Sequence, residues 1–300
     1  MSINEKLFDQ LFCPECHMKV CIKEGANLLY CRNCDFTFEI RNSIPIMLSP
    51  DRIEQFKDDV DNWRENELIP GFISYQTVQL LKSPAPFKWF GKDNVLKRIC
   101  DNITAEGLYL DIGGVGRFHP RILNINISPS ADTDLVCEGQ CLPFDDDSVD
   151  GIFILLVLEH VPDPQAITKE ISRVLKPGGF VFATLPFLQV MHANPRDYYR
   201  FTPDGIRELF TGLNELELKI ASGPTGTLLW ILKAYIALFF PFSNYSLVYV
   251  SVREIIGWLL YPMIVFDFYL NRKKRAEKMA SYFYYHGQKK HSEHGAGGRA

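Results

Sequence analysis

The sequence predicts an α/β protein built on a parallel sheet covered on both faces. A small cysteine-bearing β element precedes the sheet, and an apolar helical insert interrupts it near its end. Three observations predict this. From residue 93 short apolar strands alternate with helical stretches. Two C-x-x-C pairs, Cys13-Pro14-Glu15-Cys16 and Cys31-Arg32-Asn33-Cys34, stand near the N-terminus. Residues 225–275 are strongly apolar and broken only by scattered charges and prolines.

Composition sets the outer limits. Hydrophobic residues are 47% of the 300-residue chain and charged residues 23%, which supplies a core and excludes wholesale disorder. A net charge of −4 gives no global reason to bind nucleic acid. The opening MSINEKLFDQ lacks a basic segment followed by an apolar one, so it does not read as a secretory signal. A cytoplasmic, reducing location is therefore expected, in which paired cysteines read as metal ligands rather than disulfides.

Residues 1–48 are read as a zinc ribbon. Each C-x-x-C is a tight knuckle presenting two thiolates, and two knuckles supply the four sulfurs (Cys13, Cys16, Cys31, Cys34) of a tetrahedral structural Zn²⁺ site. The fourteen residues between them fit a hairpin with its turn at 24–27. The run FTFEIRNSIPIML then reads as a second strand pair. The alternative, four unliganded thiols, leaves a segment this short without a staple. Cys21 is a spare that packs as a small hydrophobe. The segment resembles the zinc-ribbon proteins that partner tRNA and protein methyltransferases, in which "CPxC…CxxC" leads into "IRxGIPxML". Ser43 stands where that pattern has glycine.

Residues 49–92 read as a linker, with an amphipathic helix carrying Ile53, Phe56, Val60 and Trp63 on one face. The core, 93–224, then runs through a helix (DNVLKRICDNI), a buried strand (GLYLDIGG), a short strand (ILNINIS), a third (TDLVCEG) and a fourth (VDGIFILLV). A helix (DPQAITKEISRVLK), Pro177-Gly178-Gly179 and a fifth strand (FVFATLP) follow. Ligands of such sheets bind at the C-terminal strand ends, so the residues just after each strand are the candidates.

The first strand ends in Asp111-Ile112-Gly113-Gly114-Val115-Gly116, where glycines allow a tight turn and close approach of backbone to a ligand. Residues 142–179, LPFDDDSVDGIFILLVLEHVPDPQAITKEISRVLKPGG, closely resemble the type-11 methyltransferase pattern, and the resemblance runs from about 107 to 220. It implies a class I S-adenosylmethionine-dependent methyltransferase with a Rossmann-like seven-stranded sheet whose last two strands are antiparallel. It further implies that Asp111, Gly113 and Gly116 meet the methionine part of the cofactor, Asn126 the ribose, Glu138 and Gly139 the adenine, and that Leu155 and Leu156 line the pocket. Two departures stand out. Only nine residues separate Gly116 from Asn126, too few for the usual crossover helix, so a tight loop through His119-Pro120 is expected. Asn126 also replaces an acid and is a weaker, neutral acceptor.

After the fifth strand, LQVMHANPRDYYRFTPDGIRELF resembles a stretch of a type-11 subset found among proteins of surface-polysaccharide loci. In that fold this segment faces the transferred methyl. Methyl transfer to a hydroxyl needs a positioned nucleophile and a proton acceptor. His192 is the first choice for the base and His160 the second, while Asp197, Tyr198, Tyr199 and Arg200 are candidate substrate contacts. The competing readings are that His160 caps its turn and that Asp197 pairs with Arg200 to pin their loop.

LELKIASGP reads as a sixth strand and 276–290 as a seventh, with 225–275 inserted between them and a disordered tail at 291–300. The insert reads either as a monotopic attachment, with NRKKR on lipid phosphates, or as a lid packed on protein. The leading expectation is methyl transfer to O or N of a small, glycan or lipid-linked acceptor, by a cytoplasmic protein peripheral to the inner membrane face. The alternatives are an RNA methyltransferase that grips nucleic acid with the ribbon, less favoured by the charge, and a non-catalytic scaffold that retains the fold.

Overall fold

The computed structural model describes residues 7–23, 27–48, 52, 54, 83, 95–114, 116–192, 196–240 and 247–291. The linker helix expected around Ile53–Trp63 and the tail beyond His291 lie outside the described residues, although Arg52 and Glu54 are themselves helical.

The cysteine-bearing segment forms β1 (Val20–Ile22), β2 (Leu28–Cys31), β3 (Thr37–Arg41) and β4 (Ile44–Ile46), each antiparallel to the next. The β3–β4 turn places Asn42 and Ser43 at φ 50° and 66°. Two successive left-handed residues make the mirror-image hairpin turn that favours Asn-Gly. Ser43→Gly is therefore expected to raise stability by about 0.5 kcal/mol: relief of left-handed strain outweighs the added chain entropy. An upward shift of the urea midpoint at unchanged slope would register it.

The core adds α1 (Val95–Asp101), β5 (Tyr109–Ile112), β6 (Leu123–Asn126), β7 (Leu135–Val136), β8 (Val149–Leu155), α2 (Pro164–Val174), β9 (Leu175–Pro186), α3 (Pro203–Leu209) and β10 (Leu213–Ser222). The insert supplies α4 (Pro224–Ala237), α5 (Leu247–Leu260) and α6 (Asp267–Leu270), and β11 (Tyr282–Lys289) closes the chain. The core strands lie in the order β7-β6-β5-β8-β9-β11-β10. Strands β7 to β9 are parallel, and β11 runs antiparallel between β9 and β10. This is the Rossmann-like sheet with its last pair antiparallel. Side chains alternate between two apolar layers: Leu110, Ile152, Ile154, Val181, Ala183 and Tyr285 face one, and Tyr109, Phe153, Phe182 and Tyr284 the other.

Three expectations need correction. The sheet has eleven strands, not seven, because the ribbon is not a separate β unit. Strand β4 pairs in parallel with β7, with Ile46 opposite Val136, and the Met47 N–H donates to Val136 O at 2.8 Å. Strand β7 would otherwise be an open edge. Ile46, Leu48 and Val136 pack over the junction, and Leu11, Leu29, Phe38 and Met47 belong to the main core layer. Second, β9 begins at Leu175 and absorbs Pro177-Gly178-Gly179 as a bulge: Val149 pairs with Leu175, but Gly151 pairs with Phe180. Third, the fourth strand, read as VDGIFILLV, stops at Leu155, two residues early.

The shortened crossover is a loop, as its length requires. Described residues 113–122 contain no helix. Arg117 secures the loop by donating to Ile122 O and to the Asp134 carboxylate, and Phe118 lies edge-on to Phe153 at 5.3 Å where a helix would have covered it.

Candidate active site

Two groups of residues converge at the C-terminal ends of the parallel strands. The first surrounds the glycine turn after β5. Gly113 and Gly116 adopt φ 72° and 86°, a region that L side chains rarely enter. A Cβ on Gly113 would stand 2.7 Å from Val157 after β8, and one on Gly139 would stand 3.3 Å from Ile167 and 3.4 Å from Ile112. The turn thus packs closely on the end of β8, and the segment after β7 packs on α2 and the end of β5. Asn124 and Asn126 both donate their side-chain N–H to Gly114 O, at 3.1 and 3.3 Å.

Asp111 lies beneath this turn, 3% exposed, and its Oδ1 has no hydrogen-bond partner among the described residues. Burial raises its carboxyl to about 7. The unfolded chain releases this proton near 4 and the folded chain only near 7. The resulting stabilisation is complete below pH 4 and is lost as pH rises to 7. The stability difference between the native protein and Asp111→Asn is expected to fall across that window in denaturant titrations without ligand.

The second group follows β8 and β9. Leu156 reverses the chain at φ 57°, and its N–H donates to Thr184 O. A single 3₁₀ turn, Leu158–His160, follows. It carries Glu159, fully buried, with neither carboxylate oxygen hydrogen-bonded among the described residues. Glu159 Oε1 stands 3.8 Å from His160 Nε2 and 3.9 Å from His192 Nε2, and the imidazoles meet edge to face at 5.1 Å. Burial lifts the Glu159 carboxyl to about 8 and lowers His192, which the neighbouring His160 lowers further. The Tyr198 N–H donates to Glu159 O at 2.7 Å and so joins the loops after β8 and β9.

Asp197 and Arg200 form a bidentate pair at 2.5 and 2.7 Å. Burial works against the Asp197 charge, but the Arg200 hydrogen bonds prevail and hold it below the usual carboxylate range. Arg200 also donates to Gln189 O, Val190 O and Tyr199 O, and Asp197 accepts the His192 N–H at 2.7 Å. Of the two roles open to this pair, pinning the loop is the one that these bonds perform. Tyr199 donates to Pro162 O, whereas Tyr198 is 42% exposed on the rim.

Residues 118–183, which run from the crossover loop through most of β9, match the model of the methyltransferase domain family. The chain is thus similar to a methyltransferase domain over that segment. Over 92 residues it is 32% identical to a ubiquinone/menaquinone biosynthesis C-methyltransferase of Cellvibrio japonicus, covering 24% of this chain and 37% of that protein. Over 80 residues it is 39% identical to a demethylmenaquinone methyltransferase of Staphylococcus aureus, covering 25% and 32%. The matched segment thus spans about a third of these relatives' length. Among solved structures, a Haemonchus contortus phosphoethanolamine N-methyltransferase 2 bound to phosphomonomethylethanolamine and S-adenosylhomocysteine aligns at TM-score 0.44 and 17% identity, covering 78% of this chain and 60% of that one. The geranyl diphosphate C-methyltransferase of Streptomyces coelicolor aligns at 0.44 and 14%, covering 80% and 98%.

Asp111, Gly113 and Gly116 lie at the turn after β5, just before the matched segment, whereas Gly139 and the half-buried Leu155 and Leu156 fall within it. Asn126 is less free than expected: its Oδ1 accepts the Ile127 N–H and its Nδ2 donates to Gly114 O, which leaves one lone pair and one amide hydrogen to spare. Glu138 faces Arg52 at 3.3 Å. Glu159 and Asn124 were not singled out by the motifs. The only sequence signal for Glu159 was its place beside His160.

The four N-terminal sulfurs also come together, all within 4.8 Å of one another. Cys13 and Cys34 Sγ lie 3.5 Å apart, and Cys16 and Cys31 Sγ 3.4 Å. Sulfurs on a tetrahedral zinc lie about 3.8 Å apart. His17 and Asp35, which follow the two knuckles, share φ near 56°, and the two N–H groups donate alike to Cys13 O and Cys31 O.

Proposed function

We propose that the protein transfers the methyl group of S-adenosylmethionine to an oxygen or nitrogen of a glycan or lipid-linked acceptor at a membrane surface. The observation that carries this reading is the glycine turn over a buried, unpartnered Asp111 Oδ1, packed on the segment after β8 that leads into the Glu159–His160–His192 cluster. An orphaned acceptor beneath a left-handed glycine turn fits a ligand that offers donors of its own. Asp111, Gly113, Gly116 and Gly139 would hold the cofactor, with Glu138 and Asn126 at its nucleoside end. S-Adenosylmethionine supplies an electrophilic methyl group. The chain's own task is to place the acceptor atom in line with it and exclude water. His160 and His192, each with Nδ1 turned to a backbone or carboxylate acceptor and Nε2 toward Glu159, are the candidate groups for handling that atom's proton.

Titration calorimetry with S-adenosylmethionine and S-adenosylhomocysteine tests the reading. Heat from both, abolished in Asp111→Ala and reduced at least about tenfold in affinity in Gly113→Ala, is expected. Absence of heat from the native protein would leave the scaffold reading instead.

The insert supports the membrane surface. Its charges point inward: Lys233 and Glu254 approach to 3.9 Å, both 7% exposed, with the Ser83 N–H donating to Glu254, and Asp267 accepts from Thr225 and Gly226 at the α4 N-terminus. Its apolar side chains point outward, among them Leu238, Phe239, Ile255, Trp258, Leu259 and Phe266. Residues Tyr249–Leu270 form one helical stretch long and apolar enough to cross a membrane by length and composition. Exposed Arg272, Lys273, Lys274 and Arg275 follow it. Apolar outside and paired charges inside is the polarity of a surface that faces lipid, and the basic run suits anionic headgroups. These features support a peripheral position at the inner membrane face, and the four converging thiols support a structural Zn²⁺ in the ribbon. Cosedimentation with anionic vesicles is expected, and its loss in Trp258→Glu/Leu259→Glu would locate the contact. No cosedimentation of the native chain would return the insert to a lid.

A further inference from the structure

The Glu159–His160–His192 cluster has a feature that acid–base work alone does not require. All three side chains aim one ligand atom at a common point, and these atoms lie within 4.8 Å of one another. Each imidazole has its other nitrogen secured. His160 Nδ1 lies 2.5 Å from Arg196 O, a contact that fixes the proton on Nδ1 and leaves the Nε2 lone pair facing Glu159. His192 Nδ1 lies 3.4 Å from Val190 O and 3.6 Å from Asp197 Oδ2, while its Nε2 also faces Glu159. Imidazoles that bind metal are held this way, with the distal N–H given to a carbonyl or carboxylate that fixes tautomer and ring orientation. Arg200, on the far side of Asp197, locks the outer acceptor in place.

The third side chain supplies independent support. Glu159 is fully buried, and both oxygens lack a hydrogen-bond partner among the described residues. Burying a carboxyl group without any partner is costly, and native structures avoid it. An ion between Glu159 and the two Nε2 atoms removes that cost.

We propose that Glu159, His160 and His192 bind a divalent transition-metal ion, of the Zn²⁺, Mn²⁺ or Fe²⁺ class, at the acceptor end of the methyltransferase domain. The donor set of two imidazoles and one carboxylate is the one these ions share. Donors on a tetrahedral ion lie about 3.4 Å apart, so the observed 3.8 and 3.9 Å close on an ion by small side-chain movements. Three protein ligands leave a position open toward the exposed side, where His192 retains 34% of its side-chain surface. An acceptor hydroxyl bound there loses its proton to water at lower pH and stays on the ion as an alkoxide. The binding site stands on geometry alone, whereas this use of the ion rests on the methyl-transfer reading.

The ribbon also binds metal, so the experiment must separate the two sites. The full-length protein is produced with zinc in the medium, and its metal content is compared with that of Glu159→Gln, His192→Ala and His160→Ala/His192→Ala. One equivalent more in the native protein than in the double variant is expected. In protein produced with cobalt instead, a thiolate charge-transfer band reports the ribbon, and a separate visible band without thiolate character reports the histidine site. Only the second band disappears in the variants, and the first shows that they remain folded. Equal metal content throughout, or a native cobalt spectrum of thiolate type alone, overturns the proposal, and the native spectrum decides even if the variants fail to fold. An extra equivalent without heat from S-adenosylmethionine keeps the metal site and sinks the methyl-transfer reading. Heat without the extra equivalent does the reverse.

Discussion

Replacing Cys31 with serine is expected to lower the thermal unfolding midpoint by about 5 °C, equivalent to about 3 kcal/mol in a chain of this size. A strong chelator is expected to do the same to the native protein and to add nothing to the variant. The effect is large because the ribbon is part of the core. Cys13 and Cys31 are buried in the same apolar layer as the sheet, together with Leu7, Leu11 and Leu29. Cys141 donates its thiol to Pro14 O inside the first knuckle, and the Phe12 N–H donates to Pro143 O. Loss of the ion therefore loosens β4 from β7 and exposes the sheet edge at Val136 as well as the ribbon. Scanning calorimetry reads the shift. Two transitions in the variant, with the upper one at the native midpoint, would show instead that the ribbon unfolds on its own.

His192→Ala is expected to lower methyl incorporation by about 10²- to 10⁴-fold, the range for removal of a positioned proton-transfer group or a ligand of the reacting centre. The heat with S-adenosylmethionine should stay near the native value, because His192 lies in the loop after β9 and the glycine turn lies after β5. Incorporation of labelled methyl into lipid and glycan fractions, measured at saturating cofactor, reads the loss. His160→Ala is expected to cost less if His160 serves mainly through its bond to Arg196 O, and as much if both imidazoles hold one ion. Unchanged incorporation in His192→Ala would exclude the cluster from the reaction altogether.

Both expectations rest on residues that the sequence already placed. The two C-x-x-C knuckles and the alternating strands were legible because each is local: a spacing fixes which side chains share a turn or a face. The missing helix between β5 and β6 could be counted from nine residues. Other features could not be read this way. Glu159 reads as one carboxylate among many until the 3₁₀ turn buries it without a partner. Arg200 and Asp197 were open to substrate until the β9 loop used every group of the pair. Lys233, Glu254 and Asp267 looked like charges interrupting apolar helices, yet they face inward and leave the apolar faces outside.

The sequence by itself determined the α/β class, the succession of strands and helices after Asp111, the cysteine quartet and His160 and His192 as candidate groups. Only the tertiary structure decided that the ribbon extends the sheet to eleven strands and that Glu159 completes the histidine pair. It also decided which way the insert's charges turn. The reason is physical. Periodicity and spacing set which residues act together along the chain, but burial and convergence depend on which distant segment covers them.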